Sequence, residues 1–553
     1  MSTAPQRFYV TTSIPYVNAD PHLGFALEVV QADVLARHRR LRGDQVRLLS
    51  GTDDHAIKNV QAADRAGLPV AEFVAQRAEA FRRLGERLDA SYDDFLRTSV
   101  DPRHRAGAER LWRACAAAGD IDRRHYEGLY CVGCEQFYTD DELVDGVCPA
   151  HGTAPTLVSE ENWFFRLSRY QKPLRELLLS GRLRIEPEVR ANEVRAFVER
   201  GLADFSISRS VERARGWGIP VPGDPTQVMY VWWDALGYYV TSLDYGKGPD
   251  AEAFRTWWAS DGRRVHVIGK DILRFHAVYW PAMLLSAGLP LPTDIYVHDF
   301  LTANGQKLSK TLGNVVDPMH LADQYGVDAV RWWLIAEVSK VGDTDFTLRR
   351  LVDAANRDLA GGLGNVAQRV LAMVHRFRGG VVPPAVSLAV GVAPSRVAVT
   401  PGPGVLSDRI GAALARLDAA ASGLPHRIDA ALEDFDLRRA ARAITAFVAE
   451  INRCIERTAP WALAKAERGG DADAGLRLDQ TLATLVAALR VLAREIEPFV
   501  PGLAAKLAHQ SGSHQPDGAL PRLEPLFRRV EIAECGGDGT GASEIFSKVR
   551  ARA

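Results

Sequence analysis

The sequence has few cysteines, no surplus of charge of either sign and no long apolar run. Its 553 residues include six cysteines, too few for a scaffold of disulfides. The formal charge of −1 gives no overall attraction to nucleic acid or membrane, so a polyanion must be bound by a local patch. Nowhere do eighteen apolar residues run together, and the first residues lack a basic segment followed by an apolar core. These absences predict a soluble, cytoplasmic protein with no membrane partner.

Three of the cysteines lie close together, which favours a metal site. Two residues separate Cys131 from Cys134, and two separate Cys148 from His151. This spacing suits a closed tetrahedral set of three thiolates and one imidazole, with no open position on the metal. The sequence therefore predicts a structural zinc (Zn²⁺) knuckle at about residues 128–153. Packing is expected for the isolated cysteines elsewhere.

The order of the predicted elements is typical of a split nucleotide-binding fold. Strand, loop and helix repeat near the amino terminus, which predicts a doubly wound α/β sheet with ligands at the carboxyl ends of its strands. Apolar residues after about 347 recur at helical spacing, which predicts an all-α region. The predicted domains are two halves of a Rossmann-like catalytic domain (1–119 and 226–292), a connective insertion (120–225), a lysine-loop region (293–347), a helical domain (348–531) and a tail (532–553).

Two segments have the residue types of a phosphate site. His22 and Gly24 stand between a proline turn and a helix start, where backbone N–H groups and the helix dipole favour an anion. Lys307 and Lys310 lie in a polar loop after the last predicted strand. Taken alone, such a loop is more often a solvated basic surface. Its place after a nucleotide fold favours a loop that closes over a triphosphate and stabilises a transferring group.

Together these segments resemble the methionyl-tRNA synthetases, a family of class I aminoacyl-tRNA synthetases. "HLGF" stands where the family has its HIGH motif, "KLSKT" where it has KMSKS, and "CVGC" with "CPAH" resembles its zinc knuckle. "SGTDDHA", "FSISRS", "YVWWDAL" and "TAPWALAKAE" follow in the family's order, so the resemblance covers about residues 7–531. It implies that the helical domain binds an anticodon and that the lysine-loop region contacts the tRNA stem.

The resemblance implies activation of methionine by ATP and Mg²⁺, followed by transfer to tRNA(Met). The amino-acid carboxylate would attack the α-phosphorus of ATP, giving methionyl-adenylate and pyrophosphate. This carboxylate is already ionised at neutral pH, so positioning and charge neutralisation carry the step without a side-chain base. The implied catalytic and ATP-binding residues are His22, Gly24, Phe25, Gly269, Asp271, Lys307 and Lys310, and Arg209 would anchor the lysine loop.

The resemblance also implies an amino-acid pocket and an anticodon site. Asp53 would face the substrate ammonium, and aromatic walls suit a polarizable thioether. The other implied pocket residues are Ile14, Tyr16, Trp232, Ala235, Leu236, Tyr239, Ile272, Phe275, His276 and Trp280. Asn365, Arg369 and Trp461 match the residues that read the CAU anticodon by stacking and hydrogen bonds. The basic run at 37–42 is more typical of a charged helix end than of an RNA groove.

Two residues depart from the family pattern. Phe25 replaces the usual His or Asn and removes a donor from the phosphate side. The loss of such a bond costs about 1.5–3 kcal/mol, or roughly ten- to more than a hundredfold in rate if the bond forms only in the transition state. Ala56 stands where the family has a glycine, which matters only if the backbone there needs a positive φ.

Three functions stay open at this point. A methionine–tRNA ligase, including an auxiliary copy of one, is favoured because the pocket and anticodon residues are both present. The alternative is a synthetase-like paralogue that passes its activated amino acid to a small-molecule acceptor in natural-product biosynthesis, against which the anticodon residues argue. His22 and the two lysines argue against a catalytically inactive RNA-binding module. The tail shows no added dimerisation domain, which predicts a monomer.

Overall fold

The computed structural model describes residues 5–131, 136–138, 142–149, 152–303, 305–307, 316–384, 409–513 and 519–532. The strands are β1 (Arg7–Thr12), β2 (Gln45–Thr52), β3 (Asp94–Arg97), β4 (Ile121–Cys131), β5 (Gln136–Tyr138), β6 (Thr156–Phe165), β7 (Arg184–Glu186), β8 (Phe205–Ser206), β9 (Ser208–Ser210), β10 (Pro220–Val221), β11 (Asp224–Met229), β12 (Arg263–Gly269), β13 (Asp294–His298), β14 (Leu301–Ala303), β15 (Gln306–Lys307) and β16 (Thr344–Asp345). The helices are α1 (Leu23–Leu41), α2 (Ile57–Ala66), α3 (Val70–Arg87), α4 (Pro102–Ala117), α5 (Gln171–Ser180), α6 (Glu188–Glu199), α7 (Val231–Thr241), α8 (Glu252–Trp257), α9 (Trp280–Ser286), α10 (Pro318–Tyr325), α11 (Val327–Ala336), α12 (Leu348–Ala354), α13 (Asn365–Arg378), α14 (Arg409–Glu433), α15 (Leu437–Thr458), α16 (Pro460–Arg468), α17 (Ala472–Ile496) and α18 (Pro501–Gln510).

A six-stranded parallel sheet forms the centre of the catalytic part, in the order β3-β2-β1-β12-β13-β7. In β1 every residue after Arg7 is buried, as expected for a parallel strand covered on both faces. Phe8 and Val10 face a core shared with the helical domain, and Tyr9 faces a second core shared with the insertion. The predicted α/β fold is confirmed. The strand order reverses beside β1, which places a ligand crevice at the carboxyl ends there.

The insertion is less separate from the catalytic domain than predicted. It contains a four-stranded antiparallel sheet, β5-β4-β6-β8, and most of a small sheet, β10-β11-β9, whose strand β11 extends past residue 225. Between β6 and β8 in the sequence, β7 returns to the central sheet and pairs in parallel with β13. The predicted insertion at 120–225 therefore contains an edge strand of the catalytic sheet, because a three-residue strand carries too little periodicity to be recognised from sequence.

The carboxy-terminal part is helical, as predicted. Helices α14, α15 and α17 pack on one another, and α13 contacts α16 and α17. A π-helical segment at Ala355–Gly364 leads directly into α13. Among the described helices, none has both the length and the apolar character needed to cross a bilayer.

The basic run at the end of α1 binds the helical domain. Arg37, Arg39 and Arg42 form ion pairs with Glu497, Glu433 and Glu495, at N···O distances of 2.7, 2.6 and 2.6 Å. This run is therefore a contact between domains, which agrees with the prediction of a charged helix end.

A fully buried ion pair lies beside this contact. Arg331 of α11 donates to Asp33 of α1 at 2.8 Å, and both side chains have 0% exposure. The same guanidinium donates to the carbonyl oxygens of Leu88, Pro498 and Phe499. Burial alone would raise the pKa of Asp33, but Arg331, Arg37 and Ser91 outweigh it and hold that pKa below its usual value. One guanidinium thus joins the catalytic core to the helical domain.

Replacing Arg331 by leucine should strongly destabilise the protein. The change leaves the Asp33 carboxylate buried without its main partner, a loss of about 3–5 kcal/mol. The measurement is the urea midpoint of unfolding. Arg349→Leu is the control, since its ion pair with Asp353 is exposed and contributes less than about 1 kcal/mol. Equal, small shifts in both variants would contradict the importance of the buried pair.

Candidate active site

A cleft of about 1680 Å³ opens at the carboxyl ends of the central strands. Its walls come from the segments that follow β1, β2, β12 and β13, the place where doubly wound sheets bind ligands. The cleft brings together most of the predicted site residues, together with Arg209. These are Ile14, Tyr16, His22, Gly24, Phe25, Asp53, Trp232, Ala235, Leu236, Tyr239, Gly269, Asp271, Ile272, Phe275 and His276.

His22 caps the helix that points into the cleft. Its Nδ1 accepts the backbone N–H of Gly24 at 3.1 Å, so a neutral ring carries its proton on Nε2. A Cβ at Gly24 would lie 2.9 Å from the His22 ring, so glycine leaves space for that ring. An N–H donor and the positive end of α1 therefore occupy the same side of the cleft, as an anion site requires.

Phe25, the departure beside His22, packs within the fold. Its ring is 6% exposed and meets Phe81 of α3 edge-on, at a centroid distance of 5.0 Å and an angle of 78°. Such a pair contributes about 0.5–1.5 kcal/mol beyond burial of its area. The residue is thus fixed by a second aromatic ring on the neighbouring helix.

The two aspartates after β2 have different surroundings. Asp53 lines the cleft, and its backbone N–H donates to the Pro15 carbonyl at 3.0 Å, which joins the loops after β1 and β2. Asp54 is fully buried, and its carboxylate accepts bonds from Thr52, Arg97 and Ser99. Only the first of these carboxylates can face a ligand ammonium, and the second stabilises the loop.

Ala56, the other departure, has an ordinary backbone conformation. Its φ of −60° and ψ of 140° are accessible to any residue, so this position does not need glycine. Restoring glycine with Ala56→Gly should leave kcat/KM within about twofold of the parent, because both residues adopt this conformation without strain.

The measurement is the rate of methionine-dependent exchange of pyrophosphate into ATP. Gly67→Ala at the other end of the same helix is the comparison for strain, since φ there is +65° and alanine should lower stability by about 1 kcal/mol. A gain of more than several-fold from Ala56→Gly would show that the working enzyme needs another backbone conformation at this position.

Aromatic rings form the wall of the predicted methionine pocket. Trp232 and Phe275 stack with ring centroids 3.7 Å apart and planes within 4°. Tyr16 meets Trp232 edge-on at 6.4 Å. Phe275 and His276 lie on a π-helical turn, Phe275–Tyr279, an irregularity often found at functional sites. These rings give an apolar wall that suits a thioether.

The polar tip of this pocket is neutral. Nδ1 of His276 donates to the Ile272 carbonyl at 2.9 Å, so Nε2 accepts the Tyr239 hydroxyl proton at 2.6 Å. Burial lowers the pKa of His276 to about 4, which keeps the ring uncharged at neutral pH. The pocket therefore offers an oriented dipole to an uncharged substrate side chain.

Trp280 is not among the residues that line the cleft, and its predicted place in the pocket wall stays a prediction. It is fully buried, lies 5.9 Å from the Tyr239 ring and donates from Nε1 to His266 at 3.3 Å. Trp280 directly follows the π-helical turn, and its side chain lies in the core. Trp280 supports the pocket from behind.

Tyr239→Phe should raise KM for methionine more than KM for ATP. It removes the only donor shown for Nε2 of His276, and an unsatisfied buried acceptor costs about 1–3 kcal/mol. The measurement is pyrophosphate exchange with each substrate varied in turn. Tyr238→Phe is the matched control, because that buried hydroxyl donates to the Thr12 carbonyl at 2.7 Å and does not line the cleft. Equal changes in both variants would mean a general loss of packing.

Sequence reasoning missed a hydrogen-bonded pair of a glutamate and a histidine in the cleft. Glu28 of α1 accepts both the backbone N–H and the hydroxyl of Ser13 with one oxygen, and Nε2–H of His298 with the other at 3.0 Å. Nδ1 of His298 donates to the Asp299 carbonyl at 3.0 Å. Burial alone would lower the pKa of His298, but Glu28 outweighs it and raises that pKa. The available signal was a histidine at the carboxyl end of a parallel strand.

Part of the lysine loop and of the zinc knuckle lies outside the described residues. Lys307 ends β15, whereas Lys310 lies outside the description. Cys131 and Cys148 are buried with Tyr138 and Leu143, and Cys134 and His151 lie outside. Within the described ranges no group of three or more His, Cys, Asp or Glu side chains could hold a metal. The zinc site stays a prediction.

The three predicted anticodon residues lie on neighbouring helices. Asn365 begins α13 and is exposed, and Arg369 donates to the Asn452 side chain at 2.9 Å. Trp461 lies in the first turn of α16, which contacts α13, and its side chain is 50% exposed. It is the only aromatic residue among the large exposed hydrophobic residues of the described chain, as a platform for a stacked base requires.

Known proteins match nearly the whole chain. The family model described as tRNA synthetases class I (M) matches residues 8–154 and 142–371, and that of the anticodon binding domain of methionyl tRNA ligase matches 408–549. The methionine–tRNA ligase of Brucella suis biovar 1 is 41% identical over 506 residues, which cover 91% of each chain. That of Mycobacterium tuberculosis is 40% identical over 504 residues, which cover 90% of this chain and 91% of the relative.

Solved structures of methionyl-tRNA synthetases also match nearly the whole chain. Mycobacterium tuberculosis methionyl-tRNA synthetase in complex with methionyl-adenylate superposes with a TM-score of 0.85 at 38% identity, over 95% of this chain and 100% of that one. Its apo form gives a TM-score of 0.80 at 36% identity, over 96% and 99%. Fold and site thus define a class I aminoacyl-tRNA synthetase. Within that class, the chain belongs to the methionyl-tRNA synthetase family.

Proposed function

We propose that the protein is a methionine–tRNA ligase, which activates methionine with ATP and transfers it to tRNA(Met). The observation that carries the proposal is the single cleft in which a helix-capping histidine, a buried aspartate and an aromatic wall converge. Membership of the family supports the activity. The small-molecule acceptor has no support from the comparisons, since the relatives described above are methionine–tRNA ligases and the anticodon-domain model matches 408–549.

The described residues suggest how each substrate group is held. The methionine ammonium would pair with Asp53, and its thioether would lie against Trp232 and Phe275 near the Tyr239 hydroxyl. The Nε2–H of His22 and the start of α1 would bind phosphate oxygens, while Gly269 and Asp271 would lie beside the adenosine. A Cβ at Gly269 would lie 3.0 Å from Oδ1 of Asp271, so glycine leaves space for that carboxylate.

The reaction then needs orientation and neutralisation of charge. A methionine carboxylate oxygen forms a bond to the α-phosphorus as the bond from that phosphorus to the pyrophosphate oxygen breaks. Lys307 and Lys310 would stabilise the departing pyrophosphate, with Arg209 as the anchor of their loop, and Mg²⁺ would supply further positive charge. A hydroxyl of the terminal tRNA ribose then attacks the methionyl carbonyl carbon, and AMP leaves.

Further parts of the proposal concern RNA, metal and assembly. Trp461 would stack on an anticodon base of CAU, with Asn365 and Arg369 at base edges. The thiol chemistry and burial of Cys131 and Cys148 suit two zinc ligands, with Cys134 and His151 completing a structural site. We infer a monomer, and a role in translation supports a cytoplasmic location.

Charging of methionine onto a tRNA with a CAU anticodon tests the function. The purified protein should charge this tRNA well above a Lys310→Ala blank, because that variant lacks a cation for the pyrophosphate. Trp461→Ala should lower kcat/KM for tRNA about five- to more than a hundredfold and leave pyrophosphate exchange unchanged, since a stacked base contributes about 1–3 kcal/mol. No charging, in a preparation that still exchanges pyrophosphate with methionine, would contradict the tRNA acceptor.

A further inference from the structure

The hairpin that carries Lys307 is built on a neighbouring segment, residues 342–345. Strand β14 pairs in parallel with β16, through Leu301 with Thr344 and Thr302 with Asp345. The Asp345 carboxylate accepts the Thr302 hydroxyl at 2.9 Å and the Gly305 backbone N–H at 2.8 Å, at the turn before β15. Since β15 pairs back onto Thr302, the position of 342–345 sets the position of the Lys307 backbone.

Two further carboxylates connect the residues just before this hairpin to segment 342–345. Oδ1 of Asp343 accepts the Phe300 backbone N–H at 3.0 Å. Oδ2 of Asp299 accepts the Gly342 backbone N–H at 2.6 Å, while Arg190 binds its other oxygen. Side-chain hydrogen bonds therefore join segment 342–345 to the hairpin both before and after the residues that pair in β14 and β16.

Lys270 connects this assembly to the other side of the cleft. It follows Gly269 and precedes Asp271 in the turn predicted to lie beside the adenosine. Its ammonium is 2.5 Å from Oδ1 of Asp343, 4.0 Å from Oδ1 of Asp299 and 4.4 Å from the centre of the Phe300 ring. The side chains of Lys270 and Asp343 are 23% and 40% exposed, so the bond is accessible to water and contributes little to overall stability.

We propose that Lys270 and Asp343 form a positioning pair, which sets the lysine hairpin against the adenosine turn for adenylate formation. The inference rests on the proposed function, because it assigns a role in that reaction. Neither residue needs to touch the reacting atoms. Their bond fixes the distance between the part of the site that holds adenosine and the part that holds pyrophosphate, and errors of about 1 Å in such placement can cost up to about a hundredfold in rate.

A double-mutant cycle separates this role from direct binding of ATP by Lys270. Lys270→Met keeps the length of the side chain, and Asp343→Asn keeps its shape. Each should lower kcat for pyrophosphate exchange about tenfold or more with little change in KM for methionine, and the double variant should be no slower than either single one. Lys270→Arg should retain most of the activity, since it can still reach Asp343.

The second step of the reaction, transfer to tRNA, distinguishes positioning from general structural damage. Damage to the fold would slow this step as well, whereas loss of the positioning pair would not. Pyrophosphate has left before transfer, so a preformed complex with methionyl-adenylate should charge tRNA at the parent rate in all these variants. Lys247→Met, which breaks an ion pair with Asp244 outside the cleft, is the matched control and should change neither step.

Three results would contradict the proposed role of the Lys270–Asp343 pair. Independent, multiplying effects of the two changes would indicate direct binding by Lys270, as would a loss in Lys270→Met without one in Asp343→Asn. Equal losses in both reaction steps would indicate damage to the fold. Parent protein that shows no methionine-dependent exchange would contradict the proposed function itself, whereas active parent protein with independent effects would contradict the positioning pair alone.

Discussion

The buried bond between Asp33 and Arg331 fixes the helix on which the rest of the molecule depends. Helix α1 has 19 residues and is therefore roughly 28 Å long. His22, which caps its start, lines the cleft, and Arg39 and Arg42 at its end bind the helical domain. Asp33 lies between these ends, where Arg331 also binds backbone carbonyls of both domains. The side of the cleft that contains His22 and the helical domain are consequently oriented by one rigid element.

The cleft contains two buried histidines whose pKa values shift in opposite directions, and their neighbours decide the direction. His276 faces a hydroxyl and a carbonyl, so burial dominates and lowers its pKa to about 4. His298 is also buried, but both of its ring nitrogens donate, one of them to the Glu28 carboxylate, and its pKa is raised. One part of the cleft thus contains an uncharged imidazole, and another contains an imidazole whose protonated form is favoured by a carboxylate.

Sequence order was enough to predict the parallel sheet and the helical carboxy-terminal part. The expected site residues meet at one edge of the sheet because parallel strands deliver their following loops there. Sequence order did not predict β7, whose three residues show no period, or the inward direction of Trp280, which depends on the π-helical turn before it. Glu28 was missed because its partners, Ser13 and His298, are 15 and 270 residues away in the chain. The basic run was interpreted correctly as structural, but its acidic partners on α14 and after α17 emerge only from the packing of domains.

Both departures from the family motifs fit the local structure without backbone strain or loss of packing. Ala56 occupies extended backbone that glycine does not need, and Phe25 is matched by Phe81 on the adjacent helix. What adenylate formation requires is neutralisation of phosphate charge and alignment of the carboxylate. His22 at the helix start keeps its N–H on Nε2, and the fold brings Asp53 and the aromatic wall to the same cleft. In the proposed function, the chemistry depends on groups that this chain retains, and the Phe25 ring contacts α3 beside them.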